Sequence, residues 1–170
     1  MSPLRLTIVR HAKSSWRFAD LDDHRRPLNR RGLRDVLRMP RIVAQRIPRP
    51  DLLIASDAAR TVQTAQALAD AYELPDERAI LTDELYLAGH RELMRILGSM
   101  RDRHTHVMLV GHNPGLSELC EHLLGTPMEH LPTFATASLE LEVSGWKQLG
   151  RGRARLASLL LPRDFATAAR

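Results

Sequence analysis

The chain has 170 residues and a formal net charge of +5, with 25 Lys+Arg against 20 Asp+Glu. This length suits one domain, and a hydrophobic content of 44% argues against wholesale disorder. A single cysteine excludes an intramolecular disulfide framework and a multi-cysteine zinc site. No apolar run approaches the roughly 20 residues that span a bilayer, and none near the start is long enough for a signal peptide. We therefore expect a soluble, cytoplasmic protein that does not engage membranes.

The excess of arginine is the unusual feature of the composition. Only two of the 25 basic residues are lysines (Lys13 and Lys147), which leaves 23 arginines. Arginine binds phosphate and carboxylate bidentately through its planar fork of donors. Three interpretations follow: a solvated arginine-rich surface, a nucleic-acid-binding module, or an enzyme that acts on phosphorylated substrates. Three Phe, two Trp and two Tyr are few for a surface that stacks single-stranded nucleic acid.

In the first part of the chain, short β-branched runs alternate with segments of helical period. Asn29 is a suitable N-cap for the first helix, and Pro40 inside that helix is expected to kink or divide it. Its apolar stripe is predicted to consist of Leu33, Val36, Leu37 and Ile47. The predicted elements, in chain order, are a strand at 4–9, a helix at 30–46, a strand at 51–55, a helix capped by Ser56 or Asp57, a weaker strand at 78–81 and a helix at 91–100.

The second part of the chain contains a continuous apolar run at 107–110, which is typical of a central parallel strand. It ends in Gly-His-Asn-Pro-Gly, where Pro114 is predicted to be the first residue of a helix that reaches about residue 124. Two more strands are predicted at 138–143 and 155–161. We expect one domain over residues 1–164 and a frayed tail over 165–170. The alternation predicts a three-layer α/β/α fold, with a mostly parallel sheet of about six strands and helices on both faces.

Polar residues follow four of these strands at the edge where ligands bind in open α/β sheets. The first strand leads into Arg10 and His11, and the second into Ser56 and, one helical turn later, Arg60. Glu84 follows the weaker strand, and His112 and Asn113 follow the run at 107–110. We expect these side chains, which come from separate parts of the sequence, to meet at one rim.

Such a set of residues suits phosphoryl transfer through a covalent intermediate. A neutral imidazole is a nucleophile, and near pH 7 a large fraction of an unperturbed histidine is neutral. Arg10, Arg60 and a protonated His112 would stabilise the charge on the transferred phosphoryl group, together with the N-terminus of the helix near Pro114. Glu84 is the candidate acid for the leaving group.

Three sequence motifs resemble those of one known family. The segment 6–12, Leu-Thr-Ile-Val-Arg-His-Ala, resembles the strand and Arg-His-Gly signature of the histidine phosphatase superfamily. The segment 56–65 matches its Ser-x-x-x-Arg-x-x-x-Thr-Ala motif, and 110–114 matches its late histidine motif. Segment 11–16 and the short chain are most similar to the SixA-like phosphohistidine phosphatase branch. The motifs occur in order and cover most of the chain.

The resemblance implies that His11 accepts the phosphoryl group and that Arg10, Arg60 and His112 hold it, without a metal or cofactor. Ala12 stands where the family has glycine. In the SixA-like branch the role of Glu84 is open, because imidazole is a better leaving group than an alkoxide. The further candidates for substrate binding at the mouth of the site are Arg26, Lys13, Ser14 and Asn113.

The substrate expected from this resemblance is phosphohistidine on a protein. Only 24 positions separate Arg60 from Glu84 and 28 separate Glu84 from His112, which leaves no room for a lid subdomain. The alternatives are a phosphatase of small phosphomonoesters, or a basic module that binds nucleic acid or phosphoprotein without turnover; nucleic acid is the less favoured partner. Four arginines lie at helical spacing and are expected to share one helix face: Arg30, Arg34, Arg38 and Arg41. This face is either a solvated surface or a docking patch for an acidic protein or nucleic acid.

Overall fold

The structure, a computed structural model, describes residues 3–166. One six-stranded sheet and four α-helices account for most of these residues. The strands are β1 (Leu4–Arg10), β2 (Leu52–Ser56), β3 (Ala79–Thr82), β4 (His106–Gly111), β5 (Thr136–Leu141) and β6 (Ala154–Leu160). The helices are α1 (Arg30–Arg46), α2 (Ala59–Ala71), α3 (His90–Gly98) and α4 (Gly115–Leu124).

The strands are ordered β3-β2-β4-β1-β5-β6 in the sheet. Strands β1 to β4 run parallel to one another, whereas β5 pairs antiparallel with both β1 and β6. The predicted α/β fold with a mostly parallel six-stranded sheet is therefore confirmed. Because β1, β2 and β4 are parallel neighbours, the loops that follow Arg10, Ser56 and Gly111 leave the sheet at the same edge.

The core is divided by the sheet into two clusters, so helices cover both faces. Val9, Leu53 and Met108 point to the face that α1 and α2 cover. Ile8 and Leu109 point to the opposite face, which α3 and α4 cover. This alternation along each strand is the ordinary period of two, and it buries both faces of the central strands.

Helix α1 departs from its predicted packing. Asn29 caps it as expected, since its Oδ1 accepts a hydrogen bond of 2.9 Å from the Gly32 N–H. The helix runs undivided through Pro40, which is buried against the core. The predicted apolar stripe is wrong at two positions, because Leu33 is 46% exposed and Leu37 is 85% exposed. Val36 and Ile47 do contact the core, where Met39 and Val43 are fully buried.

Several element boundaries also differ from the predictions. Helix α2 begins after Ala58, whose N–H donates to the Ser56 Oγ, so neither Ser56 nor Asp57 is the N-cap residue. Pro114 is the N-cap of α4 and precedes its first residue. Phe165 lies in a 3₁₀ turn at Pro162–Phe165, and its carbonyl accepts a hydrogen bond from Arg38. The predicted tail therefore starts inside ordered structure, and its residues 167–170 lie outside the described residues.

The described part of the chain lacks both a membrane-spanning helix and a cluster of metal-ligating side chains. No helix within residues 3–166 combines the length and the apolar character needed to cross a membrane. Over the same residues, no three His, Cys, Asp or Glu side chains are grouped so that they could hold a metal ion.

Candidate active site

His11 follows β1 directly and its imidazole is held in one orientation. Its Nδ1 lies 2.7 Å from the carbonyl oxygen of Ala12. Because a carbonyl only accepts hydrogen bonds, Nδ1 carries the proton and the lone pair is on Nε2. Burial, together with the positive charges of Arg60, Arg10 and Arg26, lowers the pKa of His11 to about 3. His11 is therefore neutral near pH 7, with its lone pair on Nε2.

Arg60 lies in the first turn of α2 and is only 2% exposed. Its Nε donates to Nε2 of His11 over 3.3 Å, and its Nη2 lies 3.3 Å from Nδ1 of His112. One guanidinium thus contacts both histidines, whose ring centroids are 5.2 Å apart. The positions predicted for the nucleophile, one arginine and the second histidine do converge.

His112 follows β4 and is held from the side opposite Arg60. Since Arg60 only donates, Nδ1 of His112 accepts, and Nε2 donates to the Ser56 Oγ at 2.8 Å. Burial, His11 and Arg60 lower the pKa of His112 to about 3. The expectation of a protonated His112 is therefore wrong for this structure. A phosphate dianion placed beside it would favour the charged form, because an opposite charge within a few ångströms raises the pKa of a histidine.

Contacts in the pocket explain the residue spacing of the Ser-x-x-x-Arg-x-x-x-Thr-Ala motif at residues 56–65. Ser56, at its first position, orients His112, and Arg60, at its fifth, enters the pocket. Thr64, at its ninth, accepts a hydrogen bond of 3.0 Å from the Ala12 N–H and donates to the carbonyl of Arg60 at 2.8 Å. One turn of helix thereby links the backbone after His11 to the arginine that contacts its ring.

Arg10 is fixed by the chain on the other side of the pocket. Its Nη1 donates to the carbonyl of Leu131 at 2.9 Å, whereas its Nε is buried and has no hydrogen-bond partner among residues 3–166. Burial and the nearby Arg60 lower its pKa. Asn113 donates to the same Leu131 carbonyl at 2.9 Å, and its Oδ1 accepts from the N–H and the hydroxyl of Ser117. Each end of the Asn113 amide makes a hydrogen bond within the protein, so Asn113 braces this loop, and its role as a substrate ligand stays a prediction.

Arg26 is buried at the edge of the pocket, as its candidate role requires. Its Nη1 donates to the Ser14 Oγ at 2.9 Å, and its guanidinium lies 3.5 Å from the ring centre of Trp16. It contributes to the low pKa of His11. The side chain of Lys13 is exposed, and its backbone carbonyl accepts a hydrogen bond from Asn29. Arg26 and Ser14 thus lie together, with Lys13 at the surface beside them.

Asp23 is the pocket residue that the sequence analysis missed. Its Oδ2 accepts hydrogen bonds from Arg60 Nη2 at 3.0 Å and from the hydroxyl of Tyr86 at 2.7 Å. Its Oδ1 accepts from Arg26 Nε at 2.9 Å. Burial opposes ionisation, but the hydrogen bonds from Tyr86 and Arg26 and the charge of Arg60 prevail and lower the pKa of Asp23 to about 2. The only sequence signal was an acidic residue three positions before Arg26.

Glu84 does not join the pocket. Its carboxylate is 2.6 Å from Arg95 on α3 and is more than half exposed. The 3₁₀ turn at Asp83–Leu85 sends Tyr86 inward instead, with its ring centroid 5.5 Å from that of His112. The prediction that the carboxyl of Glu84 lies at the rim with the histidines is therefore wrong, because its ion pair with Arg95 directs it to the surface.

Both a family model and solved structures match this chain. Residues 6–85 match the family model of the histidine phosphatase superfamily (branch 1). The crystal structure of SixA from Agrobacterium tumefaciens, named as a phosphohistidine phosphatase, is 31% identical with a TM-score of 0.80, covering 95% of this chain and 100% of that one. The chain belongs to the histidine phosphatase superfamily, in its SixA-like branch.

Other relatives of this SixA-like chain are more distant or carry no assigned activity. The structure of a protein histidine phosphatase SixA complexed with tungstate has a TM-score of 0.79 at 21% identity, covering 96% of this chain and all of that one. An uncharacterised chloroplast protein of Arabidopsis thaliana is 30% identical over 93% of this chain and 78% of its own length. The family model ends at residue 85, before His112, so the place of His112 in the site depends on its contacts with Arg60 and Ser56.

Proposed function

We propose that the protein hydrolyses phosphohistidine on a protein substrate through a phosphoryl intermediate on His11. The family supports a phosphatase in general. The observation that carries the finer proposal is the state of His11, whose Nδ1–H is bound to the Ala12 carbonyl and whose Nε2 lone pair faces Arg60. A neutral, oriented imidazole beside a buried guanidinium is what in-line attack on a phosphoryl group requires.

In the first proposed step, Nε2 of His11 attacks phosphorus while the P–N bond of the substrate breaks. The electron pair of that bond stays on the substrate imidazole, which is protonated on its other nitrogen and leaves as a neutral ring. His11 keeps its Nδ1 proton on the Ala12 carbonyl and becomes a phosphoryl-imidazolium. In the second step, water attacks phosphorus and the P–Nε2 bond breaks. Dihydrogen phosphate leaves with both water protons, and His11 regains its lone pair.

Charge stabilisation is assigned to the groups that surround Nε2. Arg60 offers donors between the two histidines, and Arg10 lies beside them with one buried donor unused within the protein. The N-terminus of α4, four residues after Gly111, adds a favourable dipole. Phosphoryl transfer depends mainly on such positioning and electrostatics, so these groups are suited to stabilise the phosphoryl group as it moves to and from His11.

The available acids favour an imidazole leaving group over an alkoxide. The carboxylate nearest the histidines, Asp23, has a pKa of about 2 and is ionised near pH 7. Glu84 is paired with Arg95 at the surface. An alkoxide leaving group needs a proton from an acid in the site, whereas a protonated phosphohistidine already carries the proton that its ring needs. This supports phosphohistidine over small phosphomonoesters as the substrate.

Access to the pocket supports a substrate carried on a protein. Between α2 and α3 the chain forms only two 3₁₀ turns and the short strand β3, and no lid subdomain is inserted there. Without an inserted lid, a side chain that projects from a folded surface is a suitable substrate. The alternative, a phosphatase of small phosphomonoesters, would use the same pocket. The kcat/KM values for the two kinds of substrate distinguish it from our proposal. The cytoplasmic location stays a prediction.

The test is a comparison of three substrates with three enzymes. A phosphohistidine protein, a phosphoserine peptide and a small phosphate ester are each supplied to wild type, His11→Ala and His130→Ala, the last as a control because His130 is exposed. We expect the highest kcat/KM for phosphohistidine, no turnover by His11→Ala and wild-type rates for His130→Ala. A higher kcat/KM for the ester would support the alternative substrate, and binding without turnover would contradict the proposed activity.

A further inference from the structure

Helix α1 presents an unusual outer face, which we call the α1 ridge and define as Arg30, Arg34, Leu37 and Arg41. These positions lie within about 60° of one another around a helix of 100° per residue, opposite the buried Met39 and Val43. Leu37 is 85% exposed in the middle of the ridge, and Leu33 beside it is 46% exposed. Because Leu37 is so exposed, its side chain buries little apolar surface within this chain.

The charge of the α1 ridge is not balanced within the described residues. Across residues 3–166, no carboxylate lies within ion-pair distance of Arg30, Arg34 or Arg41. The one acidic residue of the helix, Asp35, is buried and pairs with Arg38 at 3.1 Å. Arg38 also donates to the backbone carbonyls of the turn at Pro162–Phe165, so it serves the fold and is not part of the ridge.

The N-terminal end of α1 packs near the catalytic residues, through the helix face opposite the α1 ridge. The Asn29 N–H, just before the helix, donates to the Lys13 carbonyl at 2.9 Å. The first turn of the helix is equally close, since a Cβ on Gly32 would lie 2.2 Å from the same oxygen. Lys13 is two residues after His11. From this end the ridge extends along α1 for about 16 Å, at about 1.5 Å per residue.

We propose that the α1 ridge docks an acidic segment of the phosphorylated protein substrate, with an apolar side chain of that segment on Leu37; this inference rests on the proposed function. Three unpaired arginines are complementary to carboxylates and steer an acidic partner to the pocket. The exposed side chain of Leu37 favours a protein partner over nucleic acid. Burying it against an apolar side chain is favourable, whereas a phosphodiester backbone offers it no apolar surface. An acidic amphipathic segment therefore fits the ridge better than nucleic acid does.

The experiment measures docking separately from chemistry. A fluorescein-labelled, unphosphorylated helical peptide of Glu, Ala and Leu is titrated with the full-length protein, and anisotropy is followed at low and physiological salt. The variants are Arg34→Glu/Arg41→Glu and Leu37→Gln. The matched control is Arg101→Glu/Arg153→Glu, two exposed arginines at the opposite end of the sheet. Hydrolysis of a small phosphate ester is measured for every variant, because none of these residues belongs to the pocket.

We expect the double reversal on the ridge to weaken peptide binding about tenfold and Leu37→Gln about threefold, with the control unchanged. Ester hydrolysis should be the same in all variants. No peptide binding by wild type, or equal loss in the control, would overturn the docking proposal while leaving the proposed function intact. Tighter binding of an oligonucleotide than of the peptide, lost on the double reversal and unaffected by Leu37→Gln, would overturn it in favour of nucleic acid. Absence of ester and phosphohistidine turnover with intact peptide binding would instead refute the proposed function.

Discussion

Replacing Arg60 by alanine removes a side chain that contacts both pocket histidines. Its Nε and Nη2 each lie 3.3 Å from a histidine nitrogen, so both donors are next to the position proposed for a phosphoryl group on His11. The side chain is fully buried, so water does not compete with these donors in the folded protein. The substitution therefore tests whether the pocket stabilises developing negative charge.

The expected size of the effect follows from the number of donors that are lost. Removing one preorganised donor of this kind costs about 10²- to 10³-fold in rate, or about 2.7–4 kcal/mol. Because Arg60 aims two donors at the pocket, we expect kcat/KM to fall by about 10³-fold or more. Arg60→Lys should recover only part of this loss, since an ammonium supplies charge without the fork that reaches both histidines.

The assay is kcat/KM on a small phosphate ester, with thermal unfolding by circular dichroism recorded for each variant. Asp23 loses its partner in Arg60→Ala but keeps hydrogen bonds from Arg26 and Tyr86, so we expect the variant to fold. A folded Arg60→Ala protein whose kcat/KM is within threefold of wild type would refute the assignment of Arg60 to the phosphoryl group.

Three further predictions concern ionisation around the pocket. Because the pKa values of His11 and His112 are lowered to about 3, both histidines stay neutral as pH falls toward 5. The pH profile of kcat/KM, corrected for the ionisation of the free substrate, whose phosphate has a second pKa of about 6, should therefore show no limb near pH 6.5. A loss of activity with that midpoint after the correction would contradict the buried, neutral pair. Glu84→Gln removes only an exposed ion pair, so kcat/KM should stay within threefold of wild type, and a hundredfold loss would restore Glu84 as the acid. Asp23→Asn removes a negative charge that pairs with Arg60, so the inhibition constant of inorganic phosphate should fall about fivefold, whereas weaker inhibition would show that Asp23 assists phosphate binding.

The motifs located the pocket because their residues are tied to strand ends. His11 and His112 each follow a buried parallel strand, so the sheet order alone brings them to one edge. The spacing of Ser56, at the end of β2, and of Arg60 and Thr64, on successive turns of α2, is likewise readable in the sequence. These are local patterns, and the fold that they predict is the fold observed.

The errors came from interactions that local patterns do not encode. Glu84 and Tyr86 lie only two residues apart, but Glu84 pairs with Arg95 at the surface whereas the Tyr86 hydroxyl donates to Asp23. Asp23 enters through a long loop whose course depends on hydrogen bonds to Arg60 and Arg26. Such choices depend on partners distant in the sequence, and a single sequence without its fold does not reveal them.

The protonation of His112 is a third case. Its residue type and motif indicate a phosphate ligand, but its charge depends on burial and on the guanidinium that donates to it. The exposure of Leu37 has a similar origin. Helical spacing groups it with apolar residues, yet Met39 and Val43 lie on the side of α1 that the sheet covers. Periodicity defines faces, and the packing of the helix decides which face is buried.

The most direct test of the central claim is to trap the phosphoryl group during turnover. Wild-type enzyme is quenched in base with labelled phosphohistidine substrate, and the label is located by mass spectrometry and its ring position by ³¹P NMR. We predict acid-labile phosphate on Nε2 of His11, because Nδ1 is held as a donor by the Ala12 carbonyl, and no label in His11→Ala. Label on another residue, on Nδ1, or persisting in His11→Ala would contradict the mechanism.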